Sequence, residues 1–187
     1  MGSIVTLSGP AGAGKETAWR GALRLVPEFK LGMSATTRDE RPSDTAYGPT
    51  MYRYCSLEEF KELERCGKLL ETDEHFGKWY GKLVPDPNEH TLLELDVHGA
   101  RNVRDQFPDI TRTVLIRLPE PMRELQRARI LGRDPNMDPA ELEDRLDRAD
   151  HEVAYAMETG PDLVIINDGI PDKIIQELAD FLRSLLS

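Results

Sequence analysis

A glycine-rich stretch near the start of the chain constrains the fold more than any other feature. Residues 9–15 read Gly-Pro-Ala-Gly-Ala-Gly-Lys and directly follow an apolar run at residues 3–7, which predicts a short buried strand. Apolar residues at helical spacing come after Lys15. A strand, a glycine turn and a helix N-terminus in this order bring backbone amides and the positive end of the helix dipole together. The stretch therefore predicts a cradle for phosphate groups.

The same stretch matches the nucleotide-binding pattern G-x-x-x-x-G-K-[ST] except at its last position. Lys15 would contact the β- and γ-phosphates of a nucleoside triphosphate. Glu16 stands where a Ser or Thr hydroxyl usually ligates Mg²⁺, and Thr17 follows it. A carboxylate can ligate the metal but adds negative charge beside a triphosphate, so Glu16 and Thr17 are both candidate metal ligands. The candidate triphosphate-binding residues are Gly9, Ala11, Gly12, Ala13, Gly14, Lys15, Glu16 and Thr17.

Length and charge limit the class of protein. The 187 residues suffice for one compact unit with a substantial core. A net charge of −10 argues against nonspecific nucleic-acid binding, which needs a basic face. No apolar run is long enough for a transmembrane helix, and no signal peptide is expected. Two cysteines, Cys55 and Cys66, are too few for a disulfide framework, so we expect a reduced, cytoplasmic compartment.

Strand and helix patterns alternate along the chain, which predicts an α/β fold with a parallel sheet covered by helices on both faces. Residues 34–41 are expected to be polar and irregular, and residues 34–87 to form an inserted mixed α/β lobe on a core of residues 1–33 and 88–187. Residues 132–138, flanked by Arg129 and Arg133, predict a lid. Further strands are predicted at residues 29–33, 51–55, 68–71, 78–81, 92–97, 113–118 and 163–167, and further helices from Ser56, Pro121, Asp138 and Pro171.

Motifs spread over nearly the whole chain resemble the guanylate kinase family, which has a P-loop NTPase-type fold. The matching segments are Ser34-x-Thr36-Thr37-Arg38-x-x-Arg41, Tyr52 with Ser56-Leu57-Glu58-Glu59-Phe60, Gly67-Lys68-Leu69-Leu70-Glu71, Tyr80-Gly81, Leu93-Glu94-Leu95-Asp96-Val97-His98-Gly99-Ala100, Arg145-Leu146 with Ala149, Glu152, Tyr155-Ala156, and Val164-Ile165-Ile166-Asn167-Asp168. The resemblance implies a single domain that transfers phosphate from ATP to GMP with Mg²⁺, acting as a monomer or homodimer.

The resemblance also implies roles for individual residues. Glu71 matches the carboxylate that reads guanine, and Lys82 stands where a Ser or Thr usually contacts guanine O6. Asp96 would support the base or the metal, and Asn167 matches the position beside the adenine of ATP. Arg129, Arg133 and Arg145 match the phosphate-clamping arginines, which with Lys15 would be catalytic, in a lid spanning about residues 129–145. The residues that match the holders of the GMP phosphate are Ser34, Arg38, Arg41, Tyr52 and Tyr80. Arginines and phenols suit this task because guanidinium groups bind phosphate in a bidentate manner.

Four departures from the family pattern leave alternatives open. Glu16 replaces a hydroxyl residue, Lys82 replaces a Ser or Thr, the region of residues 83–91 is short, and two residues are inserted before Tyr52. One alternative is a kinase of the same fold for another acceptor, such as ribose 1,5-bisphosphate or a deoxynucleoside monophosphate. A second is a non-catalytic guanylate-kinase-like binding domain, although Lys15 and the lid arginines favour an enzyme.

Overall fold

The structure is a computed structural model that describes residues 1–41, 51–75 and 77–186, and the side chains of Asp73, His75 and Arg133 lie outside that description. Its strands are β1 Ile4–Ser8, β2 Phe29–Leu31, β3 Ser34–Thr36, β4 Tyr52–Tyr54, β5 Leu69–His75, β6 Lys78–Leu83, β7 His90–Glu94, β8 Thr111–Arg117 and β9 Leu163–Ile166. Its helices are α1 Lys15–Leu25, α2 Leu57–Arg65, α3 Val97–Gln106, α4 Met122–Arg133, α5 Pro139–Thr159 and α6 Pro171–Ser184. No helix among these residues is both long and apolar enough to cross a membrane.

The core is a five-stranded sheet in the order β2-β7-β1-β8-β9, and every neighbouring pair is parallel. Its strands alternate their apolar side chains between two helical layers. Val5, Leu7 and Ile116 pack with α1 and α6, whereas Ile4 and Leu93 pack with α3. The predicted α/β fold with both faces covered is therefore confirmed. Ligands of such sheets bind at the carboxyl ends of the strands, where β1 leads into the glycine stretch.

A second sheet of four strands, in the order β4-β3-β6-β5, is built from residues 34–83. Strand β3 pairs parallel with β4 and antiparallel with β6, and β5 pairs antiparallel with β6 around the turn at Gly77. Helix α2 begins with the predicted capping box, in which Ser56 accepts from the Glu59 amide and the Glu59 carboxylate accepts from the Ser56 amide. This sheet is mixed, which separates it from the parallel core.

Two local expectations were wrong. Residues 34–41 are not irregular throughout, because Ser34–Thr36 forms β3 between β4 and β6. A short polar strand gives little local signal, and pairing on both edges decides it. The strand expected to run to residue 97 ends at Glu94, and α3 follows with Asp96 as its N-cap. Val97, Ala100 and Val103 are buried at a three-residue spacing, a signal that could have predicted α3.

Candidate functional site

The glycine stretch needs its glycines for two different reasons. Gly9, Gly12 and Gly14 have φ values of +143°, +81° and +95°, a region that other residues rarely adopt. A Cβ on Gly9 would also lie 2.0 Å from the carbonyl oxygen of Ile116. Gly14 is the N-cap of α1 and supplies no side-chain cap, so the amides of the first turn point at the site where an anion would bind.

Side chains from α4 and from the end of β9 hold the loop from behind. Gln126 Nε2 donates to the Ala11 carbonyl at 3.1 Å, and Arg129 Nη1 donates to the Gly12 carbonyl at 3.1 Å. The buried Asn167 Nδ2 donates to the Ala13 carbonyl at 2.7 Å. Because the carbonyls of Ala11 and Ala13 are bound from this side, the amides that follow them, on Gly12 and Gly14, are directed toward the opposite side, whereas the Ala13 amide donates to the Pro10 carbonyl. Arg129 and Asn167 were predicted from the sequence, whereas Gln126 was missed.

Lys15 lies across the loop that it follows. Its Nζ donates to the carbonyl of Gly9 at 2.6 Å and to that of Pro10 at 3.3 Å. The ammonium group is therefore placed at the mouth of the cradle by backbone oxygens, close to where phosphate oxygens would lie.

Glu16 and Thr17 are exposed at the start of α1 and line a cavity of about 690 Å³ on the donor side. Glu16 Oε1 accepts from Arg20 Nε at 2.9 Å. This pairing offsets part of the negative charge that Glu16 brings to a phosphate site. Carboxylate and hydroxyl oxygens are donors that suit Mg²⁺. Among the described residues no group of three or more His, Cys, Asp or Glu side chains could hold a metal.

A larger cleft of about 810 Å³ opens from the loop toward the second sheet. It is lined by Gly9, Ala11, Lys15, Glu16, Trp19, Ser34, Met51, Tyr52, Glu71, Thr72, Tyr80, Gly81, Lys82, Glu94, Leu95, Asp96 and Glu152. The structure therefore brings most of the residues predicted for the acceptor into one cavity with Lys15. A molecule in this cleft would lie beside the end of a triphosphate held by the loop.

Arg38 lies behind the wall of the cleft. It is 8% exposed, and its guanidinium carbon is 4.7 Å from the centre of the Tyr52 ring and 5.5 Å from that of Tyr54. Stacking on two phenol rings fixes the plane of the guanidinium group. Arg41 is exposed at the end of a described range.

Glu71 lies against the N-terminal end of α3. A Cβ on Gly99 would come within 2.5 Å of Glu71 Oε2, so the missing side chain at Gly99 leaves the room that this carboxylate occupies. Asp96 caps the same helix by accepting from the Gly99 amide at 2.7 Å. Carboxylates are stabilising neighbours of a helix N-terminus because the helix dipole is positive there.

Lys82 is a buried cation in the wall of the cleft, with 6% of its surface exposed. Burial lowers the pKa of its ammonium group, and the charges of Glu94 and Glu71 act in the opposite direction. Lysine is rarely buried without opposite charge nearby, and Glu94 and Glu71 supply that charge here.

Trp19, Glu94 and Glu152 are among the lining residues that sequence reasoning did not assign to the site. Glu152 is on α5 and is half-buried, and burial raises the pKa of its carboxyl group, with Lys15 lowering it and Asp96 raising it. Helical position alone does not distinguish such a residue from the many exposed acids of α5. The spacing of the family motif, in which Glu152 occurs, was the available signal.

Two of the predicted arginines, Arg133 and Arg145, are not among the described side chains that line the cleft. Arg145 is exposed on α5, and both its Nε and Nη2 donate to Glu141 Oε1, at 3.1 and 2.7 Å. The backbone of Arg133 ends α4, and its side chain lies outside the described part. Their expected role therefore stays a prediction.

Comparisons with known proteins agree on one family. The sequence model of the family described as guanylate kinase matches residues 1–185. A guanylate kinase of Salinibacter ruber is 36% identical over 191 residues, which cover 99% of this chain and 97% of the relative. A guanylate kinase of Thermosynechococcus vestitus is 36% identical over 182 residues, covering 93% and 90%. The fold is similar to a crystal structure of guanylate kinase from Anaplasma phagocytophilum, with a TM-score of 0.66, 24% identity, and coverage of 98% of this chain and 85% of that chain.

Proposed function

The chain belongs to the guanylate kinase family, and from this premise we propose how its residues transfer the terminal phosphoryl group of ATP to GMP, giving ADP and GDP. It is a nucleoside monophosphate kinase. The observation that carries the assignment of residues is the shared cleft, in which Lys15 from the phosphate loop and Glu71, Tyr80 and Lys82 from the second sheet line one cavity.

On the donor side, the loop amides and Lys15 would bind the β- and γ-phosphates of ATP. Arg129 donates to the Gly12 carbonyl, so it stands at the back of the loop, where its charge would act on the triphosphate. Arg133 and Arg145 would approach from the lid at about residues 129–145. Charge neutralisation around the transferring group is the main source of catalysis in phosphoryl transfer. Asn167, bonded to the Ala13 carbonyl, would lie near the adenine.

On the acceptor side, Ser34, Tyr52 and Tyr80 line the cleft and would hold the GMP phosphate together with Arg38 and Arg41. The stacking of Arg38 on Tyr52 would keep the guanidinium group oriented for a bidentate contact with the GMP phosphate. At the other end of the cleft, Glu71 would accept hydrogen bonds from guanine N1–H and the 2-amino group. Lys82 and Asp96 would complete the base-binding end.

The residues of the cleft would act by positioning the two reactants, and the transfer requires no general base. We propose that residues 34–87 act as an acceptor-binding lobe whose approach to the core expels water from the cleft. The acceptor phosphate oxygen would then lie in line with the γ-phosphorus of ATP. Lys15 faces both reactants in this arrangement, so its charge is available to the group in transfer.

Guanylate kinases depend in general on Mg²⁺, and Glu16 and Thr17 offer oxygen ligands for it at the phosphate loop. Mg²⁺ is usually bound through one or two protein oxygens with phosphate oxygens and water completing its shell. When bound, it neutralises charge on the β- and γ-phosphates.

Replacing Glu16 with serine tests the metal assignment. The change removes a carboxylate and the Arg20 ion pair, and it supplies the hydroxyl that the loop pattern usually has. We expect the Mg²⁺ concentration for half-maximal activity to change several-fold at fixed ATP. The measurement is a Mg²⁺ titration of initial rates, with Glu28→Ser, an exposed position beyond α1, as the control. A metal titration identical to that of the wild type would place Glu16 away from the metal.

An acceptor panel tests the proposed function as a whole. Initial rates with ATP and Mg²⁺ would be measured for GMP, dGMP, AMP, CMP, UMP and ribose 1,5-bisphosphate. We expect turnover of GMP, slower turnover of dGMP, and rates at least tenfold lower for the others, because only guanine presents two N–H donors to Glu71. Turnover confined to ribose 1,5-bisphosphate would show that GMP is not the acceptor. Binding of GMP without turnover would show that the protein is not a GMP kinase.

A further inference from the structure

Glu94 occupies the junction between the donor and acceptor cavities. It is the last residue of β7, the strand next to β1 in the core sheet, and it lines both cavities. The indole Nε1–H of Trp19, one turn into α1, donates to Glu94 Oε2 at 2.8 Å. Trp19 is only 6% exposed, so this hydrogen bond is largely shielded from water.

Glu94 and the buried Lys82 line the same cleft, and the charge of Glu94 acts on the Lys82 ammonium group. Strand β6 places Lys82 opposite Ser34 of β3 on one side and opposite Glu71 of β5 on the other. Within the described part of the chain, the charged groups that act on Lys82 are Glu94 and Glu71. Ser34 adds only a hydroxyl. The charge of Lys82 therefore depends on two carboxylates, one from each sheet.

We propose that Trp19 and Glu94 are positioning residues that act through Lys82: Trp19 fixes the carboxylate of Glu94, and Glu94 holds the Lys82 ammonium at the wall of the acceptor cleft. In this position Lys82 selects an acceptor base that presents a carbonyl oxygen. The inference rests on the proposed function, because the acceptor is taken to be GMP.

The chemistry of the three side chains supports this role. An ammonium group can only donate hydrogen bonds, whereas a hydroxyl can donate or accept, so Lys82 would donate to a carbonyl oxygen of the base and could not pair with an amino group. The indole N–H is also a donor only, so Glu94 Oε2 is the acceptor of this hydrogen bond. Without Trp19 the Glu94 carboxylate could turn toward Arg20 and Arg24, which line the donor cavity with it.

The pH dependence has a defined sign. Burial already lowers the pKa of Lys82, and Glu94 opposes this effect. Removing the charge of Glu94 leaves Glu71 alone to oppose burial, so Lys82 loses its proton at a lower pH. The KM for GMP should then begin to rise at a lower pH in Glu94→Gln than in the wild type. The ionisation of GMP is common to both proteins and cancels in the comparison.

The experiment is a set of double-mutant cycles measured with GMP, with Trp19→Phe, Glu94→Gln and Lys82→Met as the single variants. Trp19→Phe should raise the KM for GMP about 2- to 10-fold and Glu94→Gln about 10-fold, with kcat within about 2-fold. In the Lys82→Met background both changes should have less than about a 2-fold effect, because they act through Lys82. Glu89→Gln, an exposed carboxylate that pairs with Lys30, is the matched control.

Two outcomes would overturn the inference: equal effects of Glu94→Gln with and without Lys82, or identical pH profiles for Glu94→Gln and the wild type. Absence of GMP turnover by the wild type would instead overturn the proposed function. The Trp79→Phe substitution leaves Trp19 as the one tryptophan of the chain. In that background, Glu94→Gln should change the fluorescence emission of Trp19 even without any nucleotide. If Glu94→Gln fails to fold, the effect of Trp19→Phe on the KM for GMP is compared with and without Lys82→Met. Equal effects in the two backgrounds would overturn the inference.

Discussion

Lys15→Met is expected to lower kcat by about 10²- to 10³-fold, the loss seen when one preorganised charge stabiliser is removed from a transition state. Methionine keeps much of the length of the side chain but removes the ammonium that donates to the Gly9 and Pro10 carbonyls. Because charge on the transferring group is largest in the transition state, the affinity for ATP should fall less than kcat does. Steady-state rates and the Kd for ATP from calorimetry would measure the two effects separately.

Lys30→Met is the control for this change. Lys30 is exposed on β2 and pairs with Glu89, outside both cavities, so its loss should leave kcat within about twofold. A kcat for Lys15→Met within threefold of the wild type would remove Lys15 from the transition state and limit its role to holding the loop.

Glu71→Gln should lower kcat/KM for GMP by about 10- to 100-fold and leave the KM for ATP within about twofold. The substitution keeps the shape of the side chain but replaces one acceptor oxygen with an NH₂ donor, which would face an N–H donor of guanine. Losing one hydrogen bond to a charged group costs about 1.5–3 kcal/mol. Because Glu71 also lies at the N-terminal end of α3, thermal unfolding should be recorded for the same variant.

The matched control is Glu62→Gln. Glu62 is exposed on α2 and forms an ion pair with Arg65, so neither substrate should be affected. Equal catalytic efficiency of Glu71→Gln and the wild type toward GMP would exclude Glu71 from reading the base. A parallel loss for GMP and ATP, with a lowered unfolding temperature, would indicate a structural role at α3 instead.

Much of the fold was predictable because its signals are local. The strands of the core sheet, the capping box of α2 and the phosphate loop each depend on residues within one short segment. Strand β3 was missed since its three residues, Ser34, Ala35 and Thr36, become a strand only through pairing with β4 and β6. Helix α3 was missed because it begins soon after a strand, and its first residue, Val97, was read as the end of that strand.

The candidate site was predictable to a lesser degree. The resemblance to a family placed Glu71, Tyr80 and Lys82 in one site, and the cleft contains all three. It gave no reason to expect that Asn167 binds the Ala13 carbonyl across 154 positions of sequence, or that Trp19 binds Glu94 across 75. Contacts between residues so far apart depend on how the layers pack, which no local pattern encodes.

The sequence by itself determined the donor site. A loop with positive φ at Gly9, Gly12 and Gly14, followed by Lys15 and a helix, forms its phosphate cradle from consecutive residues. The tertiary structure decided which charges meet in the acceptor cleft. Lys82, Glu71 and Glu94 come from three strands of two sheets, and a buried ammonium is tolerated only where packing brings carboxylates to it.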